Sequence, residues 1–389
     1  MKKVLFIVFI FLFVPRVHAD EVPVIKSGAA IVMDAKSGEI LFEKNSRERK
    51  YPASLTKVAT AIYSIEKGNL NDTVTVSQTA RETEGSRVYL EAGEQVSLRK
   101  LIEGLLINSG NDAGVAIAEH LDGSIEQFSQ KLNEYLKEIG AEETTFQNPH
   151  GLFAPNHQTS ARDLAVITQH ALKNEEFRRI FGTKQLKWQG QSWKTTLFTH
   201  HKLLRERPYE GIIGGKTGYI DEAGHTLVTA AERAGTSIIV VTLKGAARKD
   251  AYDDTVALLD YAFGNFKTDF IPEGTIIPMD NGEYKTTRDV YFTQPANQAV
   301  TMKMNAEGTL EISGEDKQLI TSIKLENFKK ETIKKTAKEN PPPKSSKEEK
   351  RNFLVLLPGT LVGILALIGV LILRFRKKMP EQNNKSYDS

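Results

Sequence analysis

The sequence predicts an α+β protein: one antiparallel sheet carrying a helical insertion, then a small all-β domain. An export signal stands in front and a membrane-spanning helix behind. Three observations carry this. Two hairpin patterns lie far apart, at residues 29–44 and 226–243, with mostly helical stretches between them. After about residue 268 the texture changes to short apolar runs broken by Gly, Asn and Asp. The 389 residues, 40% hydrophobic and 26% charged, allow two or three domains with a sizeable core.

At the N-terminus, Lys2 and Lys3 precede an unbroken apolar run over residues 4–14, and Val17, His18 and Ala19 offer a small-residue cleavage site. Residues 1–19 are therefore expected to be a signal peptide, too short to span a bilayer. Near the C-terminus, residues 353–373 form a 21-residue stretch without a charge, long enough to cross a membrane as a helix. Basic residues flank it on both sides, so the signal peptide sets the orientation. The body is expected outside, on the cell membrane, and residues 374–389 form a cytoplasmic tail. Residues 329–352 are rich in Lys, Glu and Pro and read as an extended stalk.

The net charge of +3 hides an asymmetry. The first 19 residues carry +3, and the chain from Lys329 onward carries +8, with 14 basic and 6 acidic residues. The body, residues 20–328, therefore stands at −8. An acidic body without a basic, aromatic-laced patch argues against nucleic acid as a partner. The absence of cysteine excludes disulfides, thiol catalysis and thiolate metal sites.

Within residues 20–266, the first hairpin turns at residues 35–38. Soon after comes Ser54-Leu55-Thr56-Lys57, at the start of an apolar stretch that Gly68 closes. A spacing of three on a helix puts Ser54 and Lys57 on one face. A serine hydroxyl needs a base within hydrogen-bond reach, and a lysine amine serves if burial or nearby positive charge lowers its pKa. A helix N-terminus also favours developing negative charge. Alone, the spacing equally fits a serine cap beside a solvated lysine.

Ser109-Gly110-Asn111 follows 55 residues later, offering a hydroxyl and an amide from a turn that can relay a proton and hold a peptide. Lys216-Thr217-Gly218, preceded by two glycines, comes another 107 residues on. There a substrate strand can pair with a sheet edge, Gly allows close approach, and a cation and hydroxyl suit a carboxylate. Singly, each is also an ordinary turn. Together and in this order they form the SxxK, SxN and KTG set of serine acyl-transfer enzymes.

On these motifs the chain resembles the low-molecular-mass penicillin-binding proteins that act as serine D-Ala-D-Ala carboxypeptidases. Residues 104–113, 146–152, 159–163 and 258–263 extend the likeness across about residues 29–264. The resemblance implies the serine β-lactamase/penicillin-binding-protein-like transpeptidase fold for the catalytic domain. It implies that Ser54 attacks the penultimate D-Ala carbonyl of a peptidoglycan stem peptide, with Lys57 as base. Ser109 and Asn111 would assist proton transfer and hold the peptide, and Lys216 and Thr217 would bind the terminal carboxylate. The N–H groups of Ser54 and Tyr219, next to Gly218, would form the oxyanion hole. β-Lactam antibiotics are the implied inhibitors, and no cofactor or metal is implied. One departure stands out: Ala251 occupies the position where such relatives often carry an arginine, with Arg248 and Lys249 close by.

Other readings are weaker. A β-lactamase of class A would carry a Glu-x-x-Leu-Asn element between Ser109 and Lys216, and there is none. A D,D-endopeptidase would use the same acyl chemistry. A non-catalytic wall-binding protein has no need of Ser54 and Lys57 together. The eight histidines show no HExxH spacing and no GxSxG elbow is present, which disfavours zinc and Ser-His-Asp hydrolases. The expected division is a signal at 1–19, a catalytic domain at 20–266, a β-rich domain at 267–328, a stalk at 329–352, a spanning helix at 353–373 and a tail at 374–389.

Overall fold

The computed structural model describes residues 21–327 apart from Asp280, Asn281, Ala306 and Asp316. The expected signal, stalk, spanning helix and tail lie outside the described residues. Among the described residues no helix is long and apolar enough to cross a membrane.

In chain order the elements are β1 (Ala29–Asp34), β2 (Ile40–Lys44), α1 (Thr56–Lys67), β3 (Thr73–Thr75), α2 (Gln78–Glu82), β4 (Gln95–Ser97), α3 (Leu98–Ile107) and α4 (Asn111–Asp122). Then follow α5 (Ile125–Glu138), α6 (Ala161–Ala171), α7 (Glu175–Phe181), β5 (Gln185–Gln189) and β6 (Lys194–Phe198). The first part of the chain closes with β7 (Ile212–Ile220), β8 (Gly224–Arg233), β9 (Thr236–Gly245) and α8 (Arg248–Asn265). The two sequence-distant hairpins meet in one antiparallel sheet of order β2-β1-β9-β8-β7, in which Ala29 faces Leu243 and Asp34 faces Ile238.

Both faces of this sheet are covered, so its middle strands read as nearly continuous apolar runs. Alternation still sorts them. Ala29, Ile31 and Met33 join Val228, Ile239 and Val241 in the large core shared with α1, α3, α4 and α6. Ala30 and Val32 point the other way, with Ile238 and Val240, and pack on Leu258, Leu259 and Ala262 of α8. The helical insertion thus sits on one face and α8 on the other. Strand β7 is left as an edge.

From α8 the chain enters strands directly, two residues before the change of texture in the sequence. These are β10 (Phe266–Ile271), β11 (Ile276–Met279), β12 (Gly282–Lys285), β13 (Val290–Pro295), β14 (Thr301–Met304), β15 (Thr309–Ser313), β16 (Leu319–Lys324) and β17 (Glu326–Asn327). They pair as β10-β13, β11-β12-β17 and β14-β15-β16 around a separate core that includes Tyr284, Phe292, Leu310 and Ile312.

One buried carboxylate ties these strands to the main sheet. Asp34, at the end of β1, accepts from the hydroxyls of Thr268 (2.5 Å) and Thr293 (2.8 Å) and from the Lys36 amide (2.8 Å). Since Thr293 donates to Asp34, the Ser37 hydroxyl, 2.6 Å away, donates to Thr293. Removing a buried acceptor leaves its donors unpaired. Asp34→Ala is therefore expected to cost about 2–4 kcal/mol, and Asp34→Asn, which keeps one acceptor oxygen, less. Thermal unfolding of the two variants checks the order.

Candidate active site

Ser54 sits in a single 3-10 turn (Ala53–Leu55) that runs straight into α1. The sequence placed it near a helix start; the structure adds a strained approach. Ala53 has φ +50°, a region that costs an L-residue about 1–2 kcal/mol and needs outside support. The support is visible. Thr226 of β8 donates its hydroxyl to the Pro52 carbonyl (3.0 Å), and Thr56 donates to the Ala53 carbonyl (2.9 Å). His157 Nδ1 accepts from the Gln147 amide (3.0 Å), so its proton lies on Nε2 and is donated to Thr56 Oγ1 at 2.8 Å. Gly151, at φ +89°, packs so closely beneath that a Cβ there would stand 1.9 Å from the Ala53 oxygen.

Lys57 follows one turn on, fully buried, with Nζ 2.8 Å from Ser54 Oγ and 2.6 Å from the His150 carbonyl. Burial and then the charge of Lys216 hold its pKa well below the usual lysine value, opposed by the more weakly acting Asp112. Desolvation is the foremost cause, an ordinary way to obtain an amine base. The His150 carbonyl is fixed by its own turn: Asn148 Oδ1 accepts from the His150 and Gly151 amides.

The second motif bridges α3 and α4. Ser109 has φ +61°, Gly110 caps α4, and Asn111 is its first residue. The Asn111 amide side chain donates to the Glu84 carbonyl (2.7 Å), and its backbone N–H to Ser86 (2.7 Å). Asp112 beside it accepts from the Val88 and Leu90 amides, and burial raises its pKa despite those bonds. The segment 84–90 is thereby fastened to α4 as one wall of the site.

The third motif is on edge strand β7. Lys216 is buried, donates to Ser109 Oγ (3.0 Å) and the Thr217 carbonyl (2.9 Å), and is pulled down to about 7 by burial. Gly218 passes so close to the nucleophile turn that a Cβ would stand 2.9 Å from the Ser54 nitrogen and 2.4 Å from Thr226 Oγ1. Tyr219 is 55% exposed and lies against the His225 ring, with centroids 4.6 Å apart.

These pieces surround one cavity of about 500 Å³. Ser54, Ser109, Thr217, Gly218 and Tyr219 line it. Lys57 and Lys216 stand behind, reaching it through the two serine hydroxyls they touch, and Asn111 stands behind through segment 84–86. Arg248, at the start of α8, lines the cavity together with Ala251, whereas Lys249 pairs with Asp253 on the exposed side of the helix. The sequence flagged both cations; the fold separates them. It gave no sign of Thr226, Ser86 or the His150 carbonyl, because a brace or a backbone acceptor has no residue-type signature. Among the described residues there is no cluster of three His, Cys, Asp or Glu that would hold a metal ion.

Residues 16–247 match the Peptidase_S11 family, described as D-alanyl-D-alanine carboxypeptidase. The chain is 34% identical over 246 residues to the D-alanyl-D-alanine carboxypeptidase DacF of Bacillus subtilis, covering 62% of this chain and 63% of that one. It is 33% identical over 257 residues to DacA of Haemophilus influenzae, covering 63% and 64%. The match thus spans a little under two thirds of these relatives' length. Among solved structures, penicillin binding protein 5 from Haemophilus influenzae superposes with a TM-score of 0.72 at 28% identity, covering 79% of this chain and 98% of that chain.

The buried histidines give the site a pH dependence. Burial, foremost, depresses His150, His157 and His201 to about 3. The folded state excludes a proton that the unfolded chain takes up below about 6.5. The stabilisation is therefore complete above about 6.5 and lost as pH falls toward 3. Denaturant unfolding at pH 7 and pH 4.5 is expected to differ by several kcal/mol, and His157→Gln is expected to narrow that difference while lowering stability at pH 7.

Proposed function

The chain belongs to the D-alanyl-D-alanine carboxypeptidase family, and from that membership we propose that it removes the terminal D-Ala from peptidoglycan stem pentapeptides through a Ser54 acyl-enzyme. The observation that carries the reading is the 2.8 Å contact between Ser54 and a fully buried Lys57 whose ammonium form is disfavoured. A neutral amine has N–H groups to give and one lone pair. With one N–H held by the His150 carbonyl, the lone pair is left for the Ser54 hydroxyl proton.

In this reading Ser54 Oγ bonds to the penultimate D-Ala carbonyl carbon as its proton passes to Lys57. The amides of Ser54 and Tyr219 receive the oxyanion, a role favoured by the close passage of Gly218. Collapse breaks the C–N bond, and Ser109, held by Lys216, relays a proton to the departing amine. Lys216 stands at Ser109, and its charge presses Lys57 toward neutrality. Asn111 holds the peptide. Thr217, Lys216 and Arg248 surround the terminal carboxylate, Arg248 reaching from one helical turn before Ala251. Water then hydrolyses the ester. A β-lactam, an amide of similar shape, acylates the same hydroxyl.

The chain division proposed with this function is the one expected from sequence. Residues 1–19 direct export and 353–373 hold the protein on the outer side of the cell membrane. The stalk gives roughly 70 Å of reach if its 24 residues are mostly extended at about 3 Å each.

Two experiments test the reading. Labelled penicillin is expected to map to Ser54 and to be absent from Ser54→Ala. Lys57→Arg keeps the charge but not the base, so acylation and D-Ala release from pentapeptide should fall by about 10²–10⁴ with the fold intact. Near-normal acylation of a folded Lys57→Arg protein would exclude Lys57 as the base. Separately, a protein truncated after Leu325 is expected to be soluble, folded and active on free pentapeptide. Lost hydrolysis with a folded circular-dichroism spectrum would place the C-terminal segment in the chemistry.

A further inference from the structure

A second cleft, of about 890 Å³, lies where β10–β17 meet the main sheet. Its near wall is the β1–β2 turn with the ends of α6 and α7, and its far wall is β13 and β16 with the residues leading into β13. The Asp34 bonds described above fix the two walls against each other. The cleft carries five cations against two carboxylates, in a body whose overall charge is −8. Lys36 pairs with Glu232 at 3.3 Å, and Asp289 accepts from the Glu273 amide. Arg178, on the near wall, gives one guanidinium nitrogen to the Leu172 carbonyl and has the other 3.9 Å from the exposed Glu175, and Lys324 gives its ammonium to the Glu307 carbonyl. Lys173 and Arg288, on opposite walls, are exposed, and among the described residues neither side chain has a hydrogen bond or ion pair.

We propose that this cleft is a binding site for a phosphate-bearing polymer chain, separate from the Ser54 cavity. Free cations in a concave site within an otherwise anionic surface focus a local positive field, and only an anion makes use of it. Donors arrive from both walls, with Lys173 and Arg178 on one side and Arg288, Ser322 and the exposed Tyr291 on the other. A tetrahedral phosphate accepts from several directions at once, whereas a planar carboxylate is best met by a single fork from one side. The hollow shape fits a chain laid along it, where a flat bilayer surface would meet only the rim. Ile213 of β7 lines this cleft and Thr217 lines the other, four residues or roughly 13 Å along one strand. A chain held here therefore keeps the enzyme beside its polymer without occupying the Ser54 site. The inference does not depend on the carboxypeptidase reading.

Hydrogen–deuterium exchange of the full-length protein with sodium polyphosphate tests it, because a local readout ignores binding by the basic C-terminal segment. Peptides covering residues 169–178, 288–291 and 321–324 should exchange more slowly, with the Ser54 and Lys216 peptides unchanged. In the Lys173→Ala/Arg288→Ala variant, half-maximal protection should need roughly tenfold more polyphosphate, from the loss of two charge contacts, while penicillin labelling of Ser54 stays at the wild-type rate. Absent protection, or protection undiminished in the variant, overturns the site. Equal protection by polyglutamate of matched length overturns the phosphate assignment. Protection by phosphatidylglycerol vesicles but not by polyphosphate overturns the polymer chain in favour of a lipid surface.

Discussion

Two lysines buried around one pair of serine hydroxyls set the terms for the rest of the catalytic part. Each ammonium is poorly solvated, and the charge of Lys216 presses further on Lys57. The site relieves this when Lys57 gives up its proton. That arrangement holds only while water stays out, so the packing around Lys57 has an electrostatic purpose. The Pro149 and His150 carbonyls, the Thr60 hydroxyl that binds the first of them, and the helices behind form a seal. Loosening it would return Lys57 toward an ordinary, charged lysine.

Backbone strain is tolerated beside the same two serines. Ala53 and Ser109, both at positive φ, each adjoin or are one of the two serines, and each is held from several sides. Strain of this kind persists where neighbours over-determine the conformation. Here the neighbours are Thr226 from the sheet, Thr56 from α1 and His157 from the insertion. Sheet, nucleophile helix and insertion are thus joined through hydrogen bonds to a few carbonyls rather than through side-chain volume alone.

Much of this was legible in sequence, for specific reasons. The strands 29–34 and 236–245 read clearly because they are apolar on both faces. The glycine and serine punctuation of SxxK, SGN and KTG marks places where a hydroxyl or amine must be presented. The pairing of β1 with β9 was legible only as the inference that two distant hairpins share a sheet; its register was not. Arg248 was visible as a nearby cation, but choosing it over Lys249 required the rotation of α8. Thr226 and the His150 carbonyl were invisible, since one is a strand threonine like its neighbours and the other belongs to the backbone. The junction at Asp34 was missed for the same reason: an aspartate ending a strand usually starts a turn, and this one does so while also receiving two threonines from residues more than 230 positions away.

The β1–β9 pairing also bears on how the molecule comes into being. Residues 29–34 are made early and their partner strand, 236–245, late, so the central sheet closes only after about two hundred intervening residues exist. Ser54 and Lys57 belong to the early half, while Lys216 and the Gly218 strand that passes against the nucleophile turn belong to the late half. Folds dominated by such long-range pairings close slowly. Ser54 and Lys57 consequently cannot meet Lys216 and Gly218 until the chain has been made well past residue 218.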